Sequence, residues 1–116
     1  LVVSAHYTMD EARDAIADFI ATGVAFDAVF AFSDVIALAA IAALTAAGRR
    51  VPEDVAVVGF DDIVLARHSA PPLTSVRQDL ELAARKMVDR LFARMAGEPA
   101  ESALSPVELI VRGSSG

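Results

Sequence analysis

The sequence predicts an α/β fold, with a parallel sheet flanked by helices. Short apolar runs of strand length alternate with longer segments whose apolar residues recur at helical spacing. The strand-like runs are continuous rather than alternating, which is typical of parallel strands covered on both faces. The predicted order is β-α-β-α-β, an irregular loop, then β-α-β. Such an order favours a parallel sheet with right-handed crossovers.

The stretch VPEDVAVVGFDD, residues 51–62, is the strongest of these strand signals. Pro52 ends the preceding helix, and Val55–Val58 is a continuous apolar run. Gly59 allows the backbone to turn or to approach another group closely. Phe60 and the pair Asp61-Asp62 then follow the end of the strand. In open α/β sheets ligands bind at this carboxyl edge, so we expect a binding site here.

The first half of the chain contains two further predicted strands and two helices. Leu1–Val3 is predicted to be the end of a strand, and Asp27–Phe32 a second buried strand. Between them, Thr8–Glu11 has the pattern of a capping box, a hydroxyl followed three residues later by a carboxylate. It begins an amphipathic helix that Gly23 ends.

The second predicted helix is very apolar. Ser33 and Asp34 are suited to cap it, and it runs from Val35 to about Ala47, with Gly48 as its C-terminal stop. Such a helix is expected to be buried on most of its surface.

The second half begins with an irregular segment over Ile63–Pro72, where two consecutive prolines disfavour a helix. Leu73–Val76 is predicted as a short strand and Val107–Val111 as the last strand, followed by a polar tail. Between them Asp79 caps a helix with a wide apolar stripe, which Gly97 ends. Met87 and Met95 lie on this stripe, and we expect them to be core residues.

Composition excludes several classes of function. The 116 residues suit one domain, and the net charge of −6 with no basic patch argues against nucleic-acid binding by this segment. No apolar run is long enough to span a membrane, and no cysteine is present for a disulfide or a thiolate metal site. His6 and His68 are too few for a metal centre. We therefore expect a cytoplasmic protein without metal or cofactor and, since Leu1 lies within an apparent strand, a piece of a longer chain.

Polar and aromatic residues follow three of the predicted strands, so they should converge on one edge of the sheet. They are Tyr7, Ser33 with Asp34, and Asp61 with Asp62. Each also has a plain structural interpretation. Helix capping alone would explain Ser33 or Asp34, the two later carboxylates could be solvated, and Tyr7 could be a partly buried loop residue.

Catalytic motifs are not found in the sequence. It contains no G-x-S-x-G elbow and no glycine-rich phosphate loop. A phosphate-accepting receiver domain has this length and fold and uses clustered carboxylates after strands. It would, however, need a lysine after one of its last strands, whereas Lys86 lies within a helix, and its acidic pair would come early in the chain. We expect a protein that is not an enzyme.

Three segments together resemble the sequence pattern of one protein family. DAVFAFSDVIALAA (27–40) is similar to that family's strand, Asn/Ser-Asp turn and Ala-rich helix. GRRVPEDVAVVGFDD (48–62) resembles its V-P-x-D to G-F/Y-D-D block, and PPLTSVRQD (71–79) its P-x-L-T-S/T-V/I-x-Q block. In this order and spacing they resemble the effector-binding domain of the LacI/GalR family of bacterial transcription regulators, and the resemblance covers nearly the whole chain.

The resemblance implies the two-lobed fold of a type I periplasmic binding protein, with a small ligand between the lobes. Residues 1–72 would be part of the C-terminal lobe, 73–104 would cross into the N-terminal lobe, and 105–116 would return. The DNA-binding helix-turn-helix would lie in a part of the protein outside this chain, so DNA would be bound only through that part.

The resemblance also implies roles for individual residues. Asp61 corresponds to the carboxylate that accepts hydrogen bonds from ligand hydroxyls. Ser33 stands where many members have an Asn that reaches the ligand, and Leu80 where some present an aromatic ring. Tyr7 occupies a position where an aromatic often stacks on the ligand. Asp34, Phe60 and Asp62 would support the turn rather than touch the ligand.

The function implied is the sensing of a small effector, by default a sugar and otherwise a nucleoside or nucleobase. Binding would close the lobes and so control operator binding by a homodimer. The helix at 35–47 and the loop at 63–70 would carry part of the dimer interface. The alternative is a periplasmic-type sugar-binding protein of the same fold. We also expect the isolated chain to associate through its exposed sheet edge and apolar helix faces.

Overall fold

The computed structural model describes residues 1–4, 8–99, 101–102 and 104–116. These residues contain three helices, four strands and one 3₁₀ turn. The elements, in chain order, are α1 (Met9–Ala21), β1 (Ala28–Phe30), α2 (Asp34–Ala46), β2 (Ala56–Phe60), the 3₁₀ turn (Val64–Arg67), β3 (Thr74–Gln78), α3 (Leu80–Met95) and β4 (Val107–Ile110). Every predicted helix is present, and its predicted cap is confirmed: Thr8, Ser33 and Asp79 each accept a backbone N–H of the first turn.

The strands form one sheet in the order β1-β2-β3-β4. β1 pairs with β2 and β2 with β3, and both pairs are parallel. Val29 lies beside Val57, and Gly59 lies beside Ser75. The predicted α/β fold with a parallel sheet is therefore confirmed.

The chain divides into two compact units. Unit 1 comprises Leu1–Arg77 together with Leu109–Gly116, and unit 2 comprises Gln78–Glu108. β3 pairs with β2 up to Val76, and the chain enters unit 2 directly after Arg77. The assignment of these units to lobes remains a prediction.

The core of unit 1 lies around α2, which packs against α1 and against β2. Ala37 and Leu44 of this helix are fully buried, and they belong to one apolar cluster with Val57 and Leu73. α2 is apolar on almost every side, so it is stable only where protein covers most of its surface. Its small alanines also allow neighbouring elements to approach closely.

The predicted strand at Leu1–Val3 is wrong. Residues 1–4 have no regular secondary structure, and the side chains of Leu1 and Val2 are each 94 % exposed. β1 is the edge strand of the sheet, and these residues do not pair with it. Three apolar residues gain little as a strand unless a neighbouring strand satisfies their backbone groups.

The expectation that the α3 stripe forms core is also wrong. Met87 is 71 % exposed and Met95 74 %, and α3 has no buried residue. Unit 2 contains no second helix in the part of the chain that the structure describes. The amphipathic spacing is therefore sufficient to predict the helix, but it does not show whether another element covers the apolar face.

The C-terminal segment is not the polar tail that the sequence suggested. Ser114 is fully buried between the amino ends of β2 and β3. Its hydroxyl donates to the Val57 carbonyl oxygen at 2.6 Å and accepts the Thr74 N–H at 2.8 Å. Its own N–H donates to Pro72 and its carbonyl accepts from Val57. Ser114 thus links the two strands at the point where their pairing begins, beside the Val58–Thr74 pair.

Among the described residues, no helix is both long enough and apolar enough to cross a membrane.

The exposed apolar stripe of α3 leads to a prediction about the isolated 116-residue chain. Leu91 and Phe92 are 58 % and 64 % exposed, and we expect such surfaces to drive self-association in water. Light scattering should give a mass above that of one chain, and Phe92→Glu should lower that mass. Glu81→Gln on the same helix is the control and should not lower it. A monodisperse wild-type monomer would contradict the prediction.

Candidate functional site

The candidate site is built on a turn at the carboxyl end of β2. Asp61 and Asp62 both have positive φ angles, +104° and +48°. Residues with a Cβ rarely adopt this region, and each such conformation persists only where the surroundings enforce it. The turn is therefore held by its neighbours and not by its own backbone preference.

Three consecutive backbone N–H groups hold the turn in place. The Asp61 N–H donates to the Val76 carbonyl oxygen at 2.9 Å. The Asp62 N–H donates to the Ser75 hydroxyl at 3.0 Å, and the Ile63 N–H donates to Asp34 Oδ2 at 2.8 Å. Each N–H has a different partner, so the position and the direction of the turn are both fixed.

Asp34, the first residue of α2, is the anchor beneath the turn. Its side chain is fully buried, and its Oδ1 accepts a hydrogen bond of 2.6 Å from the Ser75 hydroxyl. Its other oxygen accepts the Ile63 N–H. The N-terminus of a helix also favours a negative charge, so this position suits a buried carboxylate. Asp34 and Ser75 together join the start of α2, the turn and β3.

Gly59 is required by this arrangement. A Cβ at this position would lie 2.2 Å from Asp34 Oδ1 and 3.1 Å from both the Ala37 Cβ and a Leu73 methyl. The Asp34 carboxylate cannot move away without losing its hydrogen bonds to Ser75 and Ile63. The glycine of the G-F-D-D block thus makes room for the anchor of the turn.

Asp62 points into a pair of arginines. Arg77 Nη2 lies 2.6 Å from Asp62 Oδ2, and Arg112 Nη2 lies 2.6 Å from Oδ1. The Asp62 side chain is only 2 % exposed. Burial raises its pKa, but the hydrogen bonds and charges of Arg112 and Arg77 outweigh burial and hold the pKa below its usual value. Asp62 is therefore a charged link between the turn, β3 and the segment after β4.

The structure places the predicted ligand contacts in different surroundings. Asp61 is exposed at the end of β2, next to the half-buried Phe60. Ser33 is 5 % exposed, and its hydroxyl accepts the Ile36 N–H at 3.4 Å as the N-cap of α2. Leu80 is 65 % exposed at the start of α3 and belongs to unit 2. Tyr7 lies outside the described residues.

The chemistry available at this edge is that of a carboxylate acceptor. Asp61 is presented to solvent by a turn whose backbone is fixed, and a carboxylate oxygen accepts hydrogen bonds from hydroxyl groups strongly. Among the described residues, no three His, Cys, Asp or Glu side chains are grouped so that they could hold a metal ion. The arrangement can accept hydrogen bonds from a molecule that carries hydroxyl or N–H donors.

Three residues that hold the turn were not singled out by sequence reasoning. Ser75 and Arg77 lie within the PPLTSVRQD block, but a motif does not show which of its members faces the turn. Arg112 follows Asp62 by 50 residues, and nothing near it in the sequence indicates the contact. The pairing of β3 with β2 brings Ser75 and Arg77 to Asp62, whereas Arg112 is held there by its hydrogen bonds to Leu73 and Thr74.

Comparison with known proteins is consistent with this geometry. A family model of the periplasmic binding protein-like domain matches residues 3–115. The transcriptional regulator CelR of Thermobifida fusca is 46 % identical over 111 residues, which is 96 % of this chain and 32 % of CelR. The structure of a CelR–cellobiose complex superposes with a TM-score of 0.85 at 44 % identity, covering 96 % of this chain and 35 % of that one.

A lac repressor dimer bound to operator and the anti-inducer ONPF superposes with a TM-score of 0.89 at 30 % identity, over 96 % of this chain and 39 % of that one. The chain belongs to the family of periplasmic binding protein-like domains, and within it to the effector-binding domains of LacI-type regulators. It spans about a third of the length of CelR.

Replacement of Gly59 tests the packing beneath the turn. Gly59→Ala should lower the free energy of unfolding by about 2 kcal/mol, because the new methyl group overlaps the buried Asp34 carboxylate. Gly113→Ala is the control, since a Cβ there meets Pro72 at an ordinary 3.4 Å, and its effect should stay within about 0.5 kcal/mol. Urea unfolding of both variants measures the difference. Equal stabilities would disprove the close approach.

The lowered pKa of Asp62 predicts a dependence of stability on pH. The folded pKa lies below the unfolded value near 3.8, so the charged form stabilises the fold at all pH values above 3.8. This contribution is lost as pH falls through the folded pKa. As pH falls from 5 towards the pH of acid unfolding, the free energy of unfolding should therefore decrease less for Asp62→Asn than for the wild type.

Chemical unfolding at a series of pH values measures these slopes. The double variant Arg77→Met, Arg112→Met keeps the carboxylate but removes its partners, so its slope should also flatten. Parallel curves for the wild type and Asp62→Asn would show that the two arginines do not lower this pKa.

Proposed function

We propose that this chain is the effector-sensing part of a LacI-type transcription regulator and that its effector is a sugar. The observation that carries the proposal is the enforced turn at the end of β2, where Asp61 is exposed at the carboxyl edge of the sheet. In open α/β sheets ligands bind at this edge. The high identity to CelR over almost the whole chain supports the same function.

The chemistry of Asp61 favours a ligand rich in hydroxyl groups. A carboxylate has two oxygens, and each can accept hydrogen bonds from adjacent hydroxyls of a sugar ring. The solved CelR complex contains cellobiose, so a glucose-containing disaccharide is the first effector to test. Leu80 would offer an apolar surface rather than an aromatic ring, so a sugar could not stack on a ring at this position.

Ser33 has a more limited role in this proposal. Its hydroxyl already accepts the Ile36 N–H, which leaves its proton available to a ligand. Tyr7 and Leu80 complete the proposed set of contacts. Effector bound between two lobes would favour the interlobe angle at which its contacts to both are satisfied, and lobe closure would then alter operator binding.

The proposed homodimer uses the outward side of α2 and the 3₁₀ turn after β2. Val35 and Leu38 of α2 are only partly buried, and Ala42 is exposed. Val64 and Leu65 in the 3₁₀ turn are 71 % and 53 % exposed. These apolar groups form surface that a second copy could cover, as expected for the isologous interface of a twofold dimer.

A thermal-shift measurement on the full-length protein tests the proposal. Cellobiose, lactose, glucose and adenine are added in turn, and a ligand that binds the native state raises the melting temperature by mass action. We expect cellobiose to raise it. Asp61→Asn should weaken cellobiose binding at least about tenfold, because a charged acceptor is replaced by a neutral amide.

Asp27→Asn is the matched control. Asp27 is also an exposed aspartate of unit 1, but it precedes β1 and so lies at the amino edge of the sheet. This variant should bind cellobiose like the wild type. A rise in melting temperature with adenine alone would show that the effector is a purine and not a sugar. Cellobiose binding that Asp61→Asn does not affect would exclude the proposed contact between Asp61 and the sugar.

A further inference from the structure

Two of the contacts of Asp62 lie where the chain passes between the two units. Arg77 is the last residue of unit 1 before the chain enters unit 2, and Leu109 is the first residue after it returns. Arg112 follows three residues later. The two arginines are thus attached to the outgoing and the returning segments.

One carboxylate joins these two segments. Asp62 Oδ2 accepts from Arg77 Nε at 2.7 Å, and Oδ1 accepts from Arg112 Nη2 at 2.6 Å. Arg112 Nη1 also donates to the Leu73 carbonyl oxygen at 2.7 Å, which fixes the guanidinium against the start of β3. We call Asp62, Arg77 and Arg112 the crossing clamp.

The crossing clamp is continuous with the proposed effector contact. Asp62 is the residue next to Asp61, and both have left-handed backbone conformations. A small shift of Asp61 on ligand binding would therefore also shift the Asp62 backbone, to which a planar peptide bond joins it. The Asp62 carboxylate would transmit that change to the outgoing and the returning segments at once.

We propose that Asp62 is a positioning residue that couples effector binding at Asp61 to the two segments joining the units. This inference rests on the proposed function, because it requires an effector at Asp61. Charged hydrogen bonds to a planar guanidinium depend strongly on direction, so the clamp specifies geometry. The same contacts stabilise the fold, so coupling and stability must be measured separately.

The decisive measurement is the effect of cellobiose on DNA binding by the full-length protein. The probe is a DNA fragment selected by the wild type from a random-sequence pool, and the ratio of its affinities without and with cellobiose measures the coupling. Asp62→Asn preserves shape but weakens both arginine contacts. We expect it to lower the coupling ratio by about tenfold, while cellobiose still binds through Asp61.

Two further variants separate coupling from stability. Asp54→Asn is the matched control, since Asp54 is likewise held by an arginine, Arg50, at 2.6 Å but lies before β2 and away from the crossings. It should leave the coupling ratio unchanged. Arg112→Lys keeps the charge and should retain part of the coupling. An Asp62→Asn protein with a lower melting temperature but an unchanged coupling ratio would overturn the proposal.

Hydrogen exchange on the same full-length proteins gives a test that needs no effector. Without the clamp, amides in residues 76–79 and 108–112 should exchange about tenfold faster, whereas those of α2 should not change. If cellobiose does not change the DNA affinity of the wild type, the proposal of a sugar effector fails. Hydrogen exchange then tests by itself whether the crossing clamp holds the two segments. Unchanged exchange in Asp62→Asn would then overturn it, and faster exchange confined to the two segments would support it.

Discussion

The carboxyl edge of the sheet in unit 1 depends above all on the hydrogen bonds that enforce the turn of residues 61–63. Three successive N–H groups are bound by Val76, by the Ser75 hydroxyl and by the Asp34 carboxylate. Since no residue with a Cβ favours this backbone conformation, the partners must supply the free energy that holds it. Much of the packing at this edge, including the absence of a side chain at position 59, follows from the need to bury Asp34 beside β2.

The two aspartates that follow Phe60 have opposite environments. Asp61 is exposed, whereas the Asp62 side chain is almost completely buried between two arginines. Left-handed backbone at both positions turns adjacent residues in different directions. A single sequence pair can therefore expose one carboxylate to solvent while the other holds the scaffold. In the proposed function, an acceptor fixed in this way would lose little conformational freedom on binding.

The helices and the parallel sheet could be predicted from sequence, because caps and apolar periodicity are local properties. Thr8, Ser33 and Asp79 begin the helices as expected. The carboxyl-edge position of Asp61 also follows from strand order. The contacts of Arg112 and Ser114 could not be predicted, because they join residues about 50 positions apart. The predictions of a strand at Leu1–Val3 and of a buried α3 stripe were wrong. Both features depend on neighbouring surfaces, which a local sequence pattern does not reveal.

Ser114 connects the two central strands through residues distant in the chain. Its hydroxyl reaches Val57, 57 positions earlier, and Thr74, 40 positions earlier. During synthesis β2 and β3 emerge well before this serine, and their amino ends lack its hydrogen bonds until it arrives. Contacts of such large sequence separation slow folding, since a long loop must close before the contact contributes. The sheet of unit 1 is therefore completed only after the polypeptide has passed through the whole of unit 2.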